Sequence, residues 1–209
     1  MIYTDFDQIP LFNYGLIMAD FPWQFESWSE KGNDRSHEKH YDLMGLDDLY
    51  DIPMGDYVGA DAVLWFWTTV TFADHAHRMI EHWGFKYVTM GFWGKVQKSD
   101  PKAPRMGSGH VLRECGEPFI IAKIGSPNFP DNAIPGMILE PRREPGRKPD
   151  VAYDMASRMA PAGRPMLDMF SRQVRPGWDQ FGNEVEKFPA LSKDDGKKKP
   201  RCQDMATGA

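Results

Sequence analysis

The chain has 209 residues, 41% hydrophobic and 26% charged, with a net charge of -5. That is enough for one domain with a sizeable core and ordinary for a soluble globular protein. No apolar stretch approaches a membrane helix, and the start Met1-Ile2-Tyr3-Thr4-Asp5 lacks the regions of a secretory signal. The only cysteines are Cys115 and Cys202, so no disulfide framework is implied and a reducing cytoplasm fits. Charge is unevenly spread: residues 1–61 carry 13 acidic and 3 basic side chains, whereas 142–175 carry 8 basic and 4 acidic ones. A polyanion could bind the positive part despite the unfavourable total, although a solvated face explains such charges equally well.

The elements alternate along the chain. The apolar run 15–19 (GLIMA) predicts a buried strand of a parallel sheet, and Val63-Leu64-Trp65-Phe66-Trp67 predicts another. Helical spacing over 72–82 puts Phe72, Ala76, Met79, Ile80 and Trp83 on one face, and Gly84 ends the helix. Strands are predicted at 87–93 and 119–124. A helix follows over 149–159, with Pro149 at its first turn and Pro161 beyond its end, and then a strand over 166–170. This order predicts an α/β layered domain over 1–189 with a mostly parallel sheet and helices on both faces. The stretches 26–39 and 97–109 predict long loops, of the kind that often bind ligands. The residues from 190 onward, with the basic run 197–201, predict a disordered polar tail.

The most informative residues are Asp20-Phe21-Pro22-Trp23, at the carboxyl end of the first buried strand. That end of an open α/β sheet is where ligands bind. The exocyclic amine of adenine is a poor nucleophile because its lone pair is delocalised into the ring. A carboxylate (Asp20) and a backbone carbonyl (Phe21) that accept its hydrogens favour a pyramidal amine and stabilise the charge that develops on transfer. Pro22 stiffens the turn, and Trp23 offers a face for the base. Read alone, the same residues describe a turn-capping Asp beside a core Trp.

In the run 166–184 an acid (Asp168) and an aromatic (Phe170) end a strand, Arg172 and Arg175 follow, and Gly182-Asn183-Glu184 closes it. Asn183 and Glu184 suit ribose hydroxyls, and Phe170 suits an adenine wall. Lys148, just before the predicted helix, can reach a neighbouring strand end and pair with a carboxylate. The histidines are scattered and no Cys-x-x-Cys exists, so no metal site is predicted. Neither a G-x-G-x-x-G nor a P-loop glycine pattern is found.

Taken in order, the stretches MADFPWQFESWSEKG, HYDLMGLDDL, LWFWTT, GSGHVLRECGEPFIIAKIG, PRREPGRKPD and MFSRQVRPGWDQFGNE resemble the MT-A70-like adenine-N6 methyltransferases, most closely the small prokaryotic and phage members. The resemblance covers the chain from about residue 16 to 188. It implies a Rossmann-like fold with a circularly permuted motif order, in which the catalytic tetrapeptide precedes the main cofactor-binding strand, and S-adenosylmethionine as donor. It also implies catalytic roles for Asp20, Phe21, Pro22 and Trp23, with Asp20 near the amino group of the donor's methionine as well. Lys148 is implied to meet the donor's carboxylate, while Asp168, Phe170, Arg172, Asn183 and Glu184 fall in its cofactor site; His110 and Arg113 match without an assigned role. Two departures stand out: Phe21 replaces the second residue of the usual Asp-Pro-Pro-Trp, and Pro145-Gly146 stands where prokaryotic members often carry His-Ser.

The activity expected from these residues is direct methyl transfer to the 6-amino group of adenine in DNA, after the base has been flipped from the stack. The alternatives are the same reaction on RNA and a catalytically inactive nucleic-acid-binding scaffold, which the Phe21 substitution motivates. The expected partner is nucleic acid, DNA over RNA, with no membrane; a homodimer is left open.

Overall fold

The computed structural model describes residues 1–23, 44–109, 111–129, 131 and 133–191. The expectations placed on the loop 26–39, on His110 and on the tail beyond residue 191 lie outside the described residues.

The elements in chain order are β1 (Ile2–Tyr3), β2 (Tyr14–Asp20), α1 (Leu46–Tyr50), β3 (Val58–Trp67), α2 (Ala73–His82), β4 (Lys86–Val96), β5 (Gly116–Ile124), β6 (Met137–Pro141), α3 (Asp150–Met159), β7 (Met166–Met169) and β8 (Asp179–Phe181). One eight-stranded sheet runs in the order β1-β8-β7-β2-β3-β5-β4-β6. Its strand pairs are parallel except β3 with β5 and β5 with β4. The mostly parallel α/β architecture predicted from the alternating pattern is therefore present. Short β1, α1, β6 and β8 were not legible, because two to five residues carry too little periodicity.

Side-chain alternation along β2 and β3 builds two cores. Ile17, Ala19, Leu64 and Phe66 face Ala76, Met79 and Ile80 of α2. Leu16, Met18, Val63, Trp65 and Trp67 face Ala152, Met155 and Ala156 of α3. Helices thus cover both faces, and β2 lies buried along its length. No helix among the described residues is long and apolar enough to cross a membrane.

Helix α2 ends as its sequence requires. Gly84 takes φ +81°, the left-handed conformation that a side chain disfavours. The Gly84 N–H then donates to the Glu81 carbonyl at 3.0 Å and the Phe85 N–H to that of Ile80 at 2.8 Å, closing a Schellman motif. In α3, Pro149 is the N-cap and the helix stops before Pro161. The antiparallel insertion of β5 between β3 and β4 was not predictable, because periodicity carries no strand direction.

Parallel pairing sets the site. β2 pairs with β7 on one side (Met18 with Asp168) and with β3 on the other (Asp20 with Trp67). The carboxyl ends of these strands therefore open at one edge of the sheet. The connection after β2 runs through α1 on one face and the connection into β7 through α3 on the other. A crevice forms outside strand ends that diverge in this way.

Candidate active site

Asp20 is the last residue of β2 and is about one-fifth exposed. Its Oδ1 accepts from Lys148 Nζ at 2.8 Å. The same ammonium donates to Glu117 Oε2 at 2.8 Å, and Lys95 Nζ donates to Glu117 Oε1. Lys148 is buried at 9% exposure and lies 5.3 Å from the centroid of the Trp67 ring. A chain Asp20–Lys148–Glu117–Lys95 thus crosses the mouth of the crevice. The lysine does reach over a strand end to a carboxylate, and it finds two. Burial works to lower the Lys148 pKa, but Asp20 and Glu117 outweigh it and hold the ammonium above the usual lysine range. Burial alone would push the Glu117 carboxyl up; Lys148 and Lys95 outweigh it and hold it at about 2.

The tetrapeptide folds back on itself. The Trp23 N–H donates to the Phe21 carbonyl at 3.0 Å across Pro22, an i to i+2 contact of the γ-turn kind that proline's fixed φ favours. A carbonyl has two lone pairs, so this bond leaves one. The Pro22 carbonyl accepts from the Met44 N–H at 3.1 Å.

Phe21 is 3% exposed. Its ring meets Phe66 at 5.2 Å, Trp83 at 5.5 Å, Phe170 at 5.1 Å and Trp23 at 6.1 Å. The bulky residue in the place of proline therefore packs its ring into the core, and an aromatic box holds the turn that a second proline would otherwise stiffen. Trp23 differs from expectation. It is 5% exposed, parallel to Phe72 at 4.9 Å and stacked on Phe66 at 5.8 Å. It lines the cavity but keeps little open face for a base.

On the β7 side, Asp168 is 2% exposed and its Oδ2 has no hydrogen-bond partner. Burial pushes its carboxyl up to about 7, against the lowering effect of Arg175 and of hydrogen bonds with Ser171 and Tyr153. Arg175, 6% exposed, stacks 3.6 Å over Tyr153 and donates to Asp150 at 2.8 Å. Burial and the neighbouring Asp168 raise the Tyr153 pKa well above its usual value. Phe170 follows the strand at φ +59°, rare for a side chain without a short polar group. Arg172 Nε meets Glu184 Oε2 at 3.2 Å.

Three adjoining cavities collect these residues. The largest, about 270 Å³, is lined by Asp20 to Trp23, Lys148, Glu117, Lys95 and Arg142 among others. A second, about 200 Å³, is lined by Pro22, Phe170, Arg172, Asn183 and Glu184. A small one between Asp20, Lys148, Asp168, Phe170 and Arg172 joins them. Every residue predicted for catalysis or donor binding thus lines one of the three. Sequence reasoning missed Glu117, Lys95 and Tyr153. Glu117 stood inside a quoted family stretch, but a lone acid at a strand start gives no signal until its lysines are placed. Of the eight cations in 142–175, six (Arg143, Arg147, Lys148, Arg158, Arg172 and Arg175) are paired with acids of the chain. Most of that positive segment is internal pairing rather than a free polyanion surface.

The MT-A70 family model matches residues 14–184. The chain is 27% identical to the N(6)-adenosine-methyltransferase MT-A70-like of Arabidopsis thaliana, over 82% of this chain and 24% of the relative. It is 25% identical to the type II methyltransferase M.MunI of Mycoplasma sp, over 86% of this chain and 81% of the relative. It is 25% identical to the human N(6)-adenosine-methyltransferase catalytic subunit METTL3, over 87% of this chain and 30% of the relative. The chain spans about a quarter of the length of the plant relatives it matches.

Proposed function

The chain belongs to the MT-A70 family, and from that premise we propose that it transfers a methyl group from S-adenosylmethionine to the 6-amino group of adenine in DNA. The observation that carries the reading is Asp20, anchored through one oxygen by Lys148 and adjoining a turn whose Phe21 carbonyl keeps a lone pair. Oδ2 of Asp20 and that carbonyl accept the two amine hydrogens, draw the nitrogen out of the plane of the base and balance its growing positive charge. Lys148 fixes the carboxylate's rotamer before the substrate arrives, so little reorganisation is left for the reaction itself.

The residues fit the donor. Asp168 Oδ2 is a buried acceptor without a partner, suited to an ammonium or hydroxyl donor. Phe170 supplies an apolar wall, and Asn183, Glu184 and Arg172 line the adjoining cavity with groups suited to a ribose. Lys148 and Asp20 stand between the two spaces, where a methionine's carboxylate and amino group would lie. The donor, when bound, supplies an electrophilic carbon on a sulfonium. Residues 1–189 act as one methyltransferase domain.

DNA is supported by the match to the type II methyltransferase, which extends over most of that relative. Sequencing that detects modified adenines in DNA from cells expressing the chain tests the reading, with Asp20→Ala as control. N6-methyladenine at a defined motif with the native chain alone supports it. Modified adenine with both proteins, or with neither, refutes it.

A further inference from the structure

The segment that joins β4 to β5 forms a structured finger at the mouth of the largest cavity. Its arms are hydrogen-bonded: the Arg105 N–H donates to the Lys95 carbonyl at 2.7 Å and the Lys95 N–H to that of Cys115 at 2.7 Å. Further out, the Gly107 N–H donates to the Glu114 carbonyl at 2.7 Å and the Glu114 N–H to that of Ser108 at 3.0 Å. Arg113 Nε ties the arms together at the Gly107 carbonyl, 3.0 Å away. The end turns so sharply that a Cβ on Gly109 would lie 1.8 Å from the Leu112 carbonyl oxygen. Arg105, Gly107, Ser108 and Glu114 line the cavity that holds Asp20. The finger's arms, out to Ser108 and Glu114, are therefore part of the wall of the site.

At that end stand Val111 and Leu112, 89% and 83% exposed, the two most exposed large aliphatics among the described residues. Between 97 and 115 the finger carries Lys98, Lys102, Arg105 and Arg113 against Asp100 and Glu114, all of them exposed, on a chain of net charge -5. Two bare aliphatics at the end of a segment with an excess of exposed cations match a base-pair step flanked by phosphates, where apolar side chains enter between stacked bases and cations meet the backbone.

We infer that Val111 and Leu112 are a wedge that enters duplex DNA beside the target adenine and holds open the gap its flipping leaves. The inference rests on the adenine methyltransferase reading above and adds the means of extraction to it. Flipping unstacks and unpairs the base, and the cost is smallest when the base is already mismatched. A wedge should therefore matter for a paired target and much less for one that is already open.

The test uses the full chain, the doubly substituted Val111→Ser, Leu112→Ser protein, and duplexes carrying the motif that sequencing returns. One duplex is fully paired and one carries a mismatch opposite the target; a third has 2-aminopurine at the target position. The expected result is a fall in kcat/KM of about tenfold or more on the paired duplex, mostly recovered on the mismatched one, with loss of the 2-aminopurine fluorescence rise on binding. Thermal melting of the variant should match the native chain, since both side chains are solvent-facing. Equal loss on both duplexes, or no loss, overturns the wedge while leaving the methyltransferase reading intact. A drop in the native chain's mass in solution on substitution also overturns it, because the end would then be a protein contact. A native chain that methylates neither duplex refutes the methyltransferase reading itself, and the wedge with it.

Discussion

Replacing Glu117 by Gln should cost stability in a pH-dependent way that reports directly on the lysine bridge across the site. Glu117 is held at about 2 instead of the ordinary 4.5 because Lys148 and Lys95 lie against its two oxygens. That difference corresponds to about 3 kcal/mol, since each pKa unit is about 1.4 kcal/mol. The carboxylate is about one-quarter exposed, so screening by solvent trims the value only modestly. A carboxylate with a depressed folded pKa stabilises the fold above its unfolded pKa and loses that contribution as pH falls through the folded value. The native chain should therefore exceed Glu117→Gln by about 2–3 kcal/mol at pH 7, about 5–10 °C in Tm for a domain of this size. The two should converge as pH drops from about 4.5 toward 2. Urea unfolding of both proteins at a series of pH values measures this. A gap that stays constant with pH, or none at pH 7, would show that the lysines do not hold this carboxylate and that Lys148 is not shared between it and Asp20.

The other expectations concern the site more directly. Asp20→Ala should lower kcat by on the order of 10²–10³, read in a labelled-methyl transfer assay, because the principal acceptor for the amine is lost; activity within fivefold of native would contradict its role. Phe21→Pro, although it restores the usual tetrapeptide, should destabilise the chain by about 3 kcal/mol because it empties the aromatic box, and an unchanged urea midpoint would count against that packing. Asp168→Asn should gain on the native chain as pH rises. A buried carboxyl raised to about 7 from 3.8 binds a proton in the folded state that the unfolded chain releases. Native stability therefore falls relative to Asp168→Asn across that window, by up to about 4 kcal/mol, and parallel pH profiles in urea unfolding would refute the raised pKa. If Asp168 accepts from the donor's ammonium, binding of S-adenosylmethionine by calorimetry should tighten through the same window in the native chain and not in the variant.

The long elements were legible because each carries a full period of its pattern. Strands β2 and β3 read as unbroken apolar runs since both faces are covered, and α2 announced its face through Ala76, Met79 and Ile80 and its end through Gly84. The strand predicted over 166–170 ends at Met169, because Phe170 leaves the β region for φ +59° and aromatic composition does not reveal that turn. The strand predicted at 119–124 is β5, but its antiparallel direction carried no local signal. A strand's direction depends on which neighbour it pairs with, and that choice is made by the whole sheet.

The chemistry available was written in the order of residues: an acid, a turn and an aromatic at the end of a buried strand, a lysine before a helix, and an acid–aromatic–arginine run later in the chain. These are local properties, set by residue type and short spacing. Packing in three dimensions set the Phe21 ring into an aromatic box, stacked Trp23 internally, and divided Lys148 between Asp20 and Glu117. It also placed two bare aliphatics at the end of a cationic finger beside the cavity. Those outcomes depend on which of several equally suitable neighbours a side chain meets. Packing density and the pairing of charges in a low-dielectric crevice settle that choice between residues far apart in the chain.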